Sequence, residues 1–138
     1  MDATINLFER DILRKILFGD NPVLDILRNQ CQCIERVDRT FTGIGFYTSL
    51  IFKENVKYDL TTDIPNTKAD FVIHDLCGNL NENILVGFNA FIKRGKVNSI
   101  EGFTFLEENW PPQINTYKLY YCNETGRNIK TLATDWTF

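Results

Sequence analysis

Apolar positions recur every three or four residues at the start of the chain. Ile5, Phe8, Ile12, Ile16 and Leu17 form one stripe, and Glu9, Arg10, Arg14 and Lys15 lie off it. That spacing predicts an amphipathic helix. Gly19 ends it in the manner of a left-handed cap. Asn21 and Pro22 then restart a helix, Asn21 as cap and Pro22 at the first helical position, where its missing N–H costs nothing. Val23, Leu24 and Leu27 supply its apolar face. So short a join makes the two a helical hairpin.

From about Cys33 the period changes to two. Ile44, Phe46, Leu50 and Phe52 fall on one side of a predicted strand, and Tyr47, Ser49 and Ile51 on the other. Gly43 and Gly45 mark a bulge or a close backbone approach. Lys53 to Lys68 is polar and reads as a loop. Ala69 to Leu76 reads as a strand, with turns at Cys77-Gly78-Asn79 and Asn81-Glu82-Asn83. Ile84 to Lys93 and Lys96 to Leu106 form a hairpin about Arg94-Gly95, where glycine supplies the positive φ of a tight turn. Trp110-Pro111-Pro112 stops the alternation, and Tyr117 to Cys122 offers one more strand. The last residues carry Trp136 and Phe138, able either to dock on the body or to fray.

Helices first and antiparallel strands after predict an α+β fold, an N-terminal helical hairpin packed on a mainly antiparallel sheet. The chain of 138 residues fits one domain, 1–138. Its expected parts are a hairpin at about 5–32, a sheet at about 34–122 and a tail at 123–138. The composition, 43% apolar and 24% charged, is that of a globular chain rather than a disordered one. No run of about 18 apolar residues is present to span a membrane, and the charged opening lacks the apolar core of a signal peptide, so a cytoplasmic protein is expected.

Net charge is −3, and each third of the chain carries one more acid than base. No segment concentrates the positive charge that direct nucleic-acid binding needs. Without an export signal, Cys31, Cys33, Cys77 and Cys122 read as free thiols. Cys31 and Cys33 lack the C-x-x-C spacing of zinc sites, so neither metal nor cofactor is expected.

The candidate chemistry is sparse. Gly43-x-Gly45 is followed by a strand and lacks the third glycine of a dinucleotide fingerprint. Two serines and one histidine, His74, do not make a catalytic triad, and no catalytic residue is assigned. His74 and Asp75 are strand neighbours and should point to opposite faces. Glu101 falls among Val97, Phe103 and Phe105 on a predicted inner face, where a carboxylate needs a partner such as an arginine from a helix, or else solvent. Glu107, Glu108 and Trp110 combine two acids with a large aromatic, the composition of an interface for a basic partner. Eighteen aromatics leave several, Tyr47 among them, suited to a half-wet surface.

Two stretches carry a resemblance. One is Thr42-Gly43-Ile44-Gly45-Phe46-Tyr47-Thr48, preceded by Arg39. The other runs from Gly87-Phe88 through Phe91-Ile92 and Gly95 to Glu101-Gly102-Phe103-Thr104, then Glu108 and Trp110-Pro111. With Asn21-Pro22-Val23-Leu24 they cover roughly residues 5–111. In this the chain resembles the immunity proteins of contact-dependent growth inhibition and related polymorphic toxin systems of bacteria. The resemblance implies a binding protein and not an enzyme. Its partner would be one cognate toxin domain, a nuclease among the options, neutralised by stoichiometric tight binding. The toxin-binding candidates are Tyr47, Asp75, Glu101, Glu107, Glu108 and Trp110. The alternative is a small-ligand-binding domain or hydrolase, with Glu101, His74 and Tyr47 converging in a pocket between helices and sheet.

Overall fold

The computed structural model describes residues 2–54 and 59–138. A two-residue strand β1 (Asp2–Ala3) leads into helices α1 (Leu7–Ile16) and α2 (Pro22–Cys31). Asn6 and Asn21 cap them, and Pro22 stands at the start of α2. The Asn6 side chain accepts from the Glu9 N–H at 2.8 Å while Glu9 accepts from the Asn6 N–H at 3.0 Å. This reciprocal capping box fixes where α1 begins.

Strands β2 (Ile34–Phe41) and β3 (Gly45–Phe52), the short helix α3 (Leu60–Asp63), then β4 (Phe71–Leu80), β5 (Ile84–Lys93), β6 (Lys96–Thr104), β7 (Tyr117–Tyr121) and helix α4 (Ile129–Ala133) complete the order. The strands form one sheet, β1-β2-β3-β6-β5-β4-β7, in which every pairing is antiparallel. The fold is therefore α+β, with the helical hairpin on one face of the sheet.

Several local readings change. The chain turns at residues 42–44, so Ile44 belongs to a β2–β3 turn and is exposed rather than inward. The expected turn at Cys77-Gly78-Asn79 is instead continuous β4. Gly78 is small because a Cβ there would lie 2.7 Å from the Lys118 carbonyl of β7. The reversal comes at Asn81 and Glu82, both at positive φ. The hairpin at Arg94-Gly95 is as expected, also at positive φ. The loop expected from Lys53 to Lys68 includes α3, whose Leu60 is buried; residues 55–58 lie outside the described residues.

Under the helices lies the core. Ile12, Leu13, Ile16 and Leu17 of the first helical segment, with Leu24 and Leu27 of α2, meet Leu76, Val86, Phe88, Ala90 and Ile100 from the sheet. Two polar side chains dock the helices in register. Buried Gln30 of α2 donates to the Gly95 carbonyl and accepts from the Val97 N–H, each at 2.9 Å, so it reads the end of the β5–β6 hairpin. Glu9 of α1, 1% exposed, receives Arg39 of β2 at 2.6 and 2.8 Å and the Thr48 hydroxyl of β3 at 2.5 Å. With the Asn6 amide, four donors satisfy this buried carboxylate. Burial would raise its pKa, but the hydrogen bonds from Arg39 and Thr48 outweigh that and hold it below the usual glutamate value.

The tail docks rather than fraying. Trp136 is fully buried, stacks on Phe71 at 5.6 Å between centroids, and accepts at its carbonyl from the Lys68 N–H. Arg127 reaches back to the carbonyls of Ile16 and Phe18 at 2.7 Å each and pairs with Asp75 at 2.6 Å. It thereby closes the C-terminal end of the first helical segment.

The free-thiol expectation fails at one pair. Cys77 and Cys122 form a disulfide, with Cα atoms 5.5 Å apart, while Cys31 and Cys33 stay free. Cys77 faces Tyr120 across the β4–β7 ladder, and Cys122 follows two residues later on the same side. That proximity exists only once β7 has paired with β4. Desolvation, and then the neighbouring Cys33, push the Cys31 thiol up to about 12, which leaves it unreactive.

Two predictions follow from this packing. Arg39→Leu strands Glu9 as a buried, uncompensated charge, and urea titration should show a loss of about 3–5 kcal/mol. Because the native Glu9 pKa is lowered, its stabilisation is complete above the unfolded value and is lost as pH falls through the native one. Glu9→Gln should accordingly flatten the acid limb of the stability profile; an unchanged limb counts against the pair. Separately, Cys122→Ser should cost about 2–4 kcal/mol, and reduction of the wild type should shift the urea midpoint by a similar amount.

Candidate functional site

Alternation divides each strand between two faces, and the chain covers one of them with helix. On β3, Phe46, Thr48 and Leu50 point to the helices and Tyr47 and Ser49 point away. The register carries this partition across the sheet. Tyr47 lies opposite Glu101, which lies opposite Asn89; Gly45 lies opposite Phe103, which lies opposite Gly87. Glu101 and Phe103 are therefore on the face away from the helices, contrary to the inward placement expected for them. Val97 is buried on the helix side because a register shift between Phe91 and Ile92 separates it from Glu101.

The uncovered face has a defined centre. Asn89 donates to Glu101 Oε1 at 2.9 Å, and Tyr47 lies directly across the β3–β6 ladder from the same carboxylate. Interaction of its hydroxyl with that carboxylate, then burial and the carboxylate charge, push the Tyr47 phenol above its ordinary value. The Tyr47 and Phe91 rings approach to 6.4 Å over the small Ser99. Phe103 and Phe105 pack edge to face at 5.5 Å and lie across Gly87, where any Cβ would fall within 3 Å of both rings.

This aromatic strip runs to one end of the sheet. There the β2–β3 turn, the start of β5 and the end of β6 bring up Ile44, Leu85, Phe105 and Leu106, all exposed. Leu106 is 71% exposed. Glu107, at positive φ, and Glu108 follow it directly and are also exposed. The Thr104 hydroxyl donates to the Glu108 carbonyl at 2.8 Å and holds the turn. The opposite end of the sheet carries Lys93, Arg94 and Lys96. The apolar end is thus bordered by acids, and the basic residues of the β5–β6 turn are at the far end.

Four of the six expected contact residues share this region: Tyr47 and Glu101 at the centre, Glu107 and Glu108 at the rim. Trp110 is half-buried on the helix side, against Phe46 at 5.2 Å. Asp75 is paired with Arg127, as described. His74, exposed, sits in the bulge of β4 that faces Asn89. The pocket of the alternative reading does not take shape around these groups. Glu101 lies on the other side of the sheet from the helices, and a hollow of about 80 Å³ between helix and sheet is lined by Phe8, Glu9, Arg39 and Trp110 instead. Sequence reasoning missed Leu85, Asn89 and Leu106, whose place depends on cross-strand register. Among the described residues no group of three or more His, Cys, Asp or Glu is placed to hold a metal ion. Nor is any helix long and apolar enough to cross a membrane. The chain matches no family model, no curated protein and no solved structure.

Glu101→Gln should return the Tyr47 phenol toward its ordinary value, seen as earlier phenolate absorbance in a spectrophotometric pH titration. An unmoved Tyr47 would show that the two side chains do not interact in solution.

Proposed function

We propose that the protein is a bacterial immunity protein that neutralises one cognate toxin domain by stoichiometric tight binding. The observation that supports this reading best is the uncovered sheet face, with its aromatic strip ending in exposed Phe105 and Leu106 beside Glu107 and Glu108. Contiguous exposed apolar surface rimmed by polar groups is the usual mark of a protein-binding site. The acids at that end suit a basic partner, such as the active-site surface of a nuclease, and would speed its encounter. The sequence resemblance in residues 5–111 supports the same class. The mechanism on this reading is occlusion, with aromatic anchors slowing release, and no catalytic step is involved.

The resemblance implies action in the cytoplasm. The Cys77–Cys122 disulfide argues for an oxidising compartment, where such bonds persist.

The test takes the toxin domain encoded beside this gene. Its expression should kill a host cell, and co-expression of this protein should restore growth. Leu106→Asp should weaken the purified complex by about 2 kcal/mol or more if the apolar end is a hot spot, while Glu108→Lys should mainly slow association. Toxicity that the wild-type protein does not relieve, or the absence of any toxic neighbour, overturns the reading.

A further inference from the structure

We infer that Glu101 is the seat for an arginine side chain presented by the partner protein. The inference rests on the proposed binding role of the uncovered face and names the group that face receives. Glu101 stands in the fourth, central strand of seven along a row, Thr40, Tyr47, Glu101 and Asn89, that crosses β2, β3, β6 and β5. Aromatic rings border it, the Tyr47–Phe91 pair on one side and Phe103 on the other.

Its bonding is incomplete. An ionised carboxylate has about four acceptor sites, and the neutral Asn89 amide fills one of them, with the neutral Tyr47 phenol on the facing position of β3. Among the described residues no lysine or arginine pairs with Glu101, although Glu9, Asp11 and Asp75 each have an arginine.

This arrangement limits what can cover the face. An apolar surface laid over Glu101 would desolvate a charge and return nothing for it. A second copy related by a twofold axis through this face would bring carboxylate toward carboxylate. A partner that supplies a cation resolves the problem. Arginine suits the seat better than lysine, because its planar fork matches a carboxylate and its faces stack on aromatic rings. Asn89 holds the carboxylate still beforehand, so little side-chain freedom is lost when the guanidinium arrives.

The experiment uses the full-length protein and a defined probe: the acetylated, amidated tripeptide Gly-Arg-Gly, compared with its citrulline and lysine analogues, followed by amide NMR. Citrulline keeps the shape of arginine and removes the charge. The arginine peptide should shift the resonances of residues 47, 89, 91 and 101. Its half-saturation should lie at least about tenfold below that of citrulline, with lysine between them. Glu101→Gln should abolish the difference between arginine and citrulline without disturbing the rest of the spectrum. Tyr47→Leu, which removes a wall and keeps the charge, should weaken arginine more than lysine. Equal responses to arginine and citrulline, or an arginine preference that survives Glu101→Gln, would overturn the seat. An arginine-selective seat in a protein that relieves no toxin would leave the seat standing and remove the immunity reading. Relief of toxicity without an arginine preference would do the reverse.

Discussion

A seven-stranded antiparallel sheet has two broad faces, and this chain brings two ten-residue helices to cover them. Both helices lie on the same side. That asymmetry decides nearly everything else about the molecule. The side chains beneath the helices are Leu, Ile, Val and Phe at almost no exposure, as an interior demands. The other side must remain in water without becoming sticky at random. It does so by mixing Ser, Thr, Asn and Glu101 among its aromatic residues, and by packing two phenylalanine rings edge to face over Gly87 so that they shield each other. Where the mixing stops, at the end formed by Ile44, Phe105 and Leu106, the apolar surface is exposed. Surface of that kind costs solubility, and its concentration at one end beside acids is the feature a binding role accounts for.

The covering helices are aimed by polar groups rather than by apolar packing alone. Apolar contacts are non-directional, and a helix could slide along a sheet of Leu and Ile with small loss. Glu9 removes that freedom, because its four donors come from three elements at once: its own cap, β2 and β3. Gln30 does the same for α2 against the β5–β6 turn, and Arg127 secures the far end of the first helical segment from the tail. A buried charge rarely adds much net stability when fully paired, but misplacing it is expensive. The register of helix on sheet is specified by that penalty. Because the face partition of β3 places Thr48 inward to meet Glu9, it also places Tyr47 outward to meet Glu101. The inner and outer carboxylates are opposite readings of one strand.

Local pattern made much of this legible. The two helices, the Asn21 cap, the β5–β6 hairpin and the α+β class follow from period and punctuation, which act over a few residues. The disulfide did not follow, because Cys77 and Cys122 meet only through β4–β7 pairing across 45 residues of sequence. Gly78 misled for a related reason: a glycine that permits a neighbouring backbone to approach looks, in one dimension, like a glycine that turns. Simple alternation puts Glu101 on the stripe of Val97, which is inward; the irregularity in β6 pairing shifts the alternation between them. Of the site, the residues nameable from composition were the acids and Tyr47. Asn89, the donor that fixes Glu101, has no signature until β5 and β6 are paired.

The same reasoning separates the two acid-containing rows of the sheet. Glu9 under the helices has Arg39 and a hydroxyl, and nothing further can reach it. Glu101 above has an amide, a phenol and open space, and the aromatic rings around it exclude part of the water that would otherwise satisfy it. A carboxylate in that position is too well held to be an incidental surface acid and too poorly neutralised to be a finished structural one. The neutral Asn89 donor orients it without cancelling its charge, which is the state in which a charge is most able to select a partner. Whatever surface comes to rest on this face must first answer that charge. Its aromatic neighbours then favour a flat cation over a round one, since a guanidinium can keep both the carboxylate and the rings in contact.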